Sequence, residues 1–120
     1  MIRNPKRGEI YFLNFSPALH QEIKGIHPGL IIQNDIGNQA SQLTIVATIT
    51  SSLKVAQLPV GVLITPKESG LDHDSAIHLG QIYTIDKNRL LNLVGTISPS
   101  KMQEIDTAIR VSLGLMPFRM

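Results

Sequence analysis

The chain has 120 residues, 42% hydrophobic and 17% charged, which suits one domain with a real core and is too little charge for a disordered segment. It contains no cysteine, which excludes disulfide scaffolds and zinc–thiolate sites and makes a reducing cytoplasm the plain expectation. No apolar run could span a bilayer, the basic start MIRNPKRGE lacks the apolar stretch of a signal peptide, and the net charge of +2 suits a polyanion partner without demanding one.

Residues 9–15 (EIYFLNF) follow Gly8, are rich in β-branched and aromatic side chains, and read as a strand. A polar loop, Ser16–Pro28, follows; it carries His20, Lys24 and His27, and its length marks it as functional rather than decorative. Residues 29–35 and 43–51 are apolar runs of strand length, and Asn34-Asp35-Ile36-Gly37-Asn38 between them is a dense turn signal. Residues 60–65 form another strand, flanked by Pro59 and Pro66 as an edge strand would be, and residues 66–74 are a loop or short helical turn. Residues 75–85 alternate as a strand in which Gly80 suggests a bulge, residues 86–91 fit one helical turn, and residues 93–97 a last short strand.

The period then changes. Ser98 can cap a helix with Pro99 at its first position, apolar residues recur at Met102, Ile105, Ile109 and Leu113, and Gly114 can end it. Five to seven strands followed by one helix predict a mainly β (α+β) fold, a bent or barrel-like antiparallel sheet with the helix packed on it.

His27 leads the candidate residues. It stands at the mouth of a buried strand, and an imidazole exchanges protons near neutral pH without tuning; the plainer reading is a loop cap bonded to a backbone carbonyl. His20 shares its loop. Alternation puts Thr44, Val46, Thr48 and Thr50 on one strand face, most simply the solvated face, while Thr50 at the strand end can offer a hydroxyl to phosphate. Asp72-His73-Asp74-Ser75 reads as a polar turn, because adjacent residues of an extended chain point apart and rarely ligate one ion. His78 falls on the less buried side of its strand. Gln81 is a plausible base reader, shares the parity of Ile77 and Leu79, and is re-aimed if Gly80 marks a bulge.

The runs at residues 6–17 (KRGEIYFLNFSP), 28–38 (PGLIIQNDIGN), 45–50 (IVATIT), 81–90 (QIYTIDKNRL) and 112–115 (SLGL) together resemble the MazF/PemK toxins of bacterial toxin–antitoxin modules. The resemblance implies a single MazF/PemK-like domain over residues 1–120, a small SH3-like barrel of the MazF/CcdB type with a C-terminal helix, and a symmetric homodimer. It further implies metal-independent cleavage of single-stranded RNA, with no cofactor, by attack of the ribose 2′-OH to leave a 2′,3′-cyclic phosphate and a 5′-OH, held in check by a MazE-like antitoxin. The family's catalytic threonine corresponds to Thr50. The position of its catalytic arginine is His27, in Ile-His-Pro. Gln21, Glu22 and Lys24 in the loop, and Gln81 on its strand, correspond to residues that line the RNA groove. Arginine gives a permanent charge and a two-pronged donor, whereas histidine is the better proton shuttle, so the substitution implies a slow or altered ribonuclease. The alternatives are a toxin-fold protein that binds RNA or antitoxin without cutting, and a gyrase-directed toxin.

Overall fold

The computed structural model describes residues 4–15 and 25–117; the expectations placed on His20, Gln21, Glu22 and Lys24 lie outside them. The described residues form six strands, β1 (Glu9–Asn14), β2 (Ile26–Ile31), β3 (Leu43–Thr50), β4 (Gly61–Ile64), β5 (Ser75–Asp86) and β6 (Leu90–Thr96). Three helices punctuate them, α1 (Asp35–Ala40), α2 (Pro66–Ser69) and α3 (Pro99–Ser112). The strands make one antiparallel sheet in the order β4-β5-β3-β2-β1-β6, so the proline-flanked β4 is an edge, as its sequence predicts. The sheet curls. Gly95 on the β6 edge lies so close to Ser69, just past the β4 edge, that a Cβ there would stand 2.2 Å from the Ser69 carbonyl oxygen.

Both faces of the sheet are apolar. Ile10, Leu30 and Ala47 are cross-strand neighbours, and they join Ile77, Leu79, Ile105 and Ala108 in a core beneath α3. Tyr11, Leu13, Ile31, Val46 and Ile85 form a second core on the opposite face. This two-sided burial corrects the solvated reading of the threonine stripe: Thr44 is 0% and Thr48 2% exposed. Helix α3 begins as expected, with the Ser98 hydroxyl accepting from the Lys101 N–H. Its buried stripe is Ile105, Ala108 and Val111, and Leu113 turns outward at 55% exposure. Gly114 ends it at φ +74°, where the Leu115 and Gly114 N–H groups reach back to the carbonyls of Arg110 and Val111.

The Asn34–Asn38 turn signal forms a helix instead. Asn34 caps α1 by accepting from the Gly37 N–H at 2.7 Å, and Asn38 is buried beneath it. Asn and Asp serve turns and caps by the same short-range bonds, which is why the sequence reads either way. The single turn expected over residues 86–91 is a 3-10 turn at Lys87–Arg89, and β6 begins sooner than residue 93, at Leu90. Helix α2 starts at a reciprocal cap between Thr65 and Glu68. The Thr65 backbone N–H, with smaller help from its hydroxyl and Lys101, holds the Glu68 carboxyl below the usual carboxylate range against the opposing effect of burial.

Gly80 does mark a bulge. Ala47 pairs with Ile82 but its neighbour Thr48 pairs with His78, so β5 carries three residues, Leu79 to Gln81, that β3 does not match. An odd insertion swaps the faces. Ile77 and Leu79 therefore serve the core under α3 while Tyr83 and Ile85, of the same parity, pack in the other. The strand reaches both cores for this reason.

Candidate active site

Strand β2 begins at Ile26 rather than residue 29, so His27 and Pro28 belong to the strand and not to the loop. Pro28 pairs with Phe12 of β1, and the β2–β3 register starts only at Gly29 opposite Thr48. Proline is therefore placed where it has a strand partner on one side only, as its missing N–H requires. His27 is half-buried, level with Leu13 of β1, and its ring is tilted 56° against Phe15 at 6.4 Å between centroids.

Thr50 closes β3, where the chain leaves the sheet. Its hydroxyl oxygen accepts from the Ser52 N–H at 3.1 Å. That bond occupies a lone pair and leaves the hydroxyl proton free to donate outward. Continuing the β2–β3 register by two residues brings His27 level with Thr50, and both line one groove of about 380 Å³. Phe12 and Pro28 contribute apolar surface to it, and Thr48 and Ser51 add hydroxyls beside Thr50.

Asp72, His73 and Ser75 also line the groove, from the turn that leads into β5. They do form a polar turn, as their sequence suggests, but its position is not a local property. Strands β3 and β5 are antiparallel with Thr50 opposite Ala76, so the end of one meets the approach to the other. The Ser75 hydroxyl donates to the His73 carbonyl at 3.1 Å and fixes the turn.

Gln81 is not among the groove-lining residues. It is exposed at the bulge, and its Oε1 accepts from the Thr48 hydroxyl at 3.2 Å, one side chain away from the groove. His78 is partly buried and its Nδ1 accepts from the Gly80 N–H at 3.0 Å, a bond that braces the bulge. Tyr83 is half-buried, edge-on to Phe15 at 5.6 Å. Among the described residues no three His, Asp or Glu side chains gather as a metal ion would need, and no helix is long and apolar enough to cross a membrane.

A family profile described as the PemK-like, MazF-like toxin of type II toxin–antitoxin systems matches residues 6–113. The chain belongs to this family. Endoribonuclease EndoA of Bacillus subtilis is 44% identical to it over 113 residues, 94% of this chain and 97% of that protein. Endoribonuclease MazF of Staphylococcus epidermidis is 45% identical over 113 residues, 94% of each. A mycobacterial endoribonuclease solved in complex with its cognate antitoxin superposes with a TM-score of 0.78 at 25% identity, covering 96% of this chain and 99% of that one. MazF from Deinococcus radiodurans gives 0.79 at 20% identity, over 94% and 99%, and so shares the MazF fold, a curled six-stranded sheet with a C-terminal helix.

Proposed function

We propose that this MazF/PemK-family protein is the toxin of a type II toxin–antitoxin module and a metal-independent endoribonuclease of single-stranded RNA. The observation that supports the reading is that His27, near the start of β2, and Thr50, at the end of the adjacent β3, line one groove. A phosphodiester seated there has its 2′-OH presented to the His27 imidazole, which takes the proton as the oxygen attacks phosphorus. The Thr50 hydroxyl, with its acceptor side occupied by the Ser52 N–H, donates to a phosphate oxygen as charge builds in the transition state. The products are a 2′,3′-cyclic phosphate and a 5′-OH.

His27 stands where the family resemblance calls for arginine. An imidazole can move the proton but cannot fork two bonds onto the phosphorane, a loss of about 3 kcal/mol or roughly a hundredfold in rate unless a cation such as Lys24 restores it. Gln21, Glu22 and Lys24 are assigned to the RNA strand beyond the groove, and Gln81 to a base edge. The chain acts as one domain, in the cytoplasm, as a homodimer inhibited by a MazE-like antitoxin; the mycobacterial relative solved with its cognate antitoxin supports the last part.

The test is incubation with a mixed-sequence single-stranded RNA in EDTA and mass analysis of the new ends. Cyclic phosphate and 5′-OH termini are expected, and loss of cutting in EDTA would reject the mechanism. His27→Ala should abolish cleavage and Thr50→Ala lower it about a hundredfold; an unchanged rate in the first variant removes His27 from the site.

A further inference from the structure

The groove holds two imidazoles, and the reaction proposed above gives work to only one. Transesterification of RNA needs a base for the 2′-OH and an acid for the departing 5′-oxygen, on opposite sides of phosphorus because entry and exit are in line. We propose that His73 is that acid, a second catalytic residue; the assignment rests on the ribonuclease reading.

The sheet order carries the argument. β3 lies between β2 and β5: Thr50 has Ala76 opposite it on one side, and the β2–β3 register carried two residues past its last pair, Gly29–Thr48, brings His27 level with it on the other. His73 stands three residues before Ala76, in the turn that forms the far wall of the same groove. Imidazole, hydroxyl and imidazole thus follow one another from β2, past the end of β3, to the turn before β5. Strands stand about 4.8 Å apart, so the β2 and β5 backbones on either side of Thr50 are on the order of 10 Å from one another, the width of a phosphodiester with a hydrogen bond of about 2.8 Å at each end. His73 lines the same groove from three residues before Ala76, at the open end of that gap. With phosphorus held on the Thr50 hydroxyl, the attacking and departing oxygens point to the two flanks.

His73 is equipped for the role. Its side chain is exposed and, among the described residues, its ring makes no hydrogen bond that would compete with substrate. Its backbone is nonetheless fixed, because Ser75 holds its carbonyl. The step balances without a co-reactant. The 2′-oxygen–phosphorus bond forms as His27 accepts the 2′-proton, the phosphorus–5′-oxygen bond breaks as His73 delivers its own, and the two imidazoles end with their protonation exchanged.

The test compares two substrates of one sequence, an RNA cut by the unaltered protein and the same RNA with sulfur in place of the 5′-bridging oxygen at the mapped cleavage position. A thiolate departs without a proton. His73→Ala should slow the oxygen substrate at least about a hundredfold and cut the sulfur substrate at close to the unaltered rate, whereas His27→Ala should abolish cutting of both. His73→Gln, which keeps a polar side chain in the turn, should behave as His73→Ala, with circular dichroism confirming that both fold. Equal slowing of both substrates by His73→Ala, or unchanged cleavage of the oxygen substrate, overturns the assignment and leaves the ribonuclease reading in place. If the unaltered protein cuts neither substrate, that reading falls and the assignment falls with it.

Discussion

Replacing Asn38 with alanine should be among the costliest single changes outside the two apolar cores. Asn38 is 0% exposed, and its Oδ1 accepts from the Thr44 hydroxyl at 2.7 Å and from Gln33 Nε2 at 3.0 Å. Its Nδ2 donates to the Gln33 carbonyl at 3.0 Å, which ties α1 back to the end of β2. Each bond contributes about 1 kcal/mol net, and alanine also strands the Thr44 hydroxyl, itself fully buried, at a cost of about 1 kcal/mol more. The total is about 3–4 kcal/mol, a large share of a typical domain's stability, and should lower Tm by about 10–15 °C. Urea unfolding at one fixed protein concentration measures it, since any self-association makes apparent stability depend on concentration. The double variant Asn38→Ala/Thr44→Val should be no less stable than Asn38→Ala alone, because the stranded hydroxyl has gone. A loss below about 1 kcal/mol in the single variant, with unchanged urea dependence, would refute the network argument.

Gly61→Ala should prevent folding or yield insoluble protein, because the new Cβ would fall 1.8 Å from the Val55 carbonyl oxygen, a backbone atom with nowhere to go; soluble expression at the unaltered level would count against it. The lowered Glu68 carboxyl predicts the shape of a pH series: a group whose folded pKa is depressed contributes stability above its unfolded value, lost as pH falls through the folded one. Glu68→Gln should therefore be less stable than the unaltered protein at pH 7 and converge with it in acid, as thermal melts from pH 7 to pH 2 would show; a gap that stays constant with pH would mean that the ionised form contributes nothing.

What could be read from the sequence was chemistry that acts over a few residues. Ser98, Pro99 and Gly114 mark the bounds of α3 because a cap and a left-handed turn are local events. Asn34 was equally local but ambiguous, and burial of Asn38 against Thr44 decides for helix. The orientation of Thr44 and Thr48 could not be inferred from alternation, since alternation says which residues share a face and not whether that face meets water. The same limit governs the candidate site. His27 and Thr50 are legible from their places at a strand mouth and a strand end, and the family resemblance points to the same two, whereas His73 reads as an ordinary turn residue and only the fold brings it into the groove with the end of β3.

The three unmatched residues of β5 carry one more implication, for how this chain can change in length. Because the strand switches layers there, a one-residue change in length that the bulge did not absorb would shift the register and send Tyr83 and Ile85 into the compartment meant for Ile82. Insertions or deletions of two restore the phase. Single-residue changes at this point must therefore be taken up by the bulge itself, and a library of length variants should return folded members whose added or lost residues lie within residues 79–81 and not in the paired stretch beyond them.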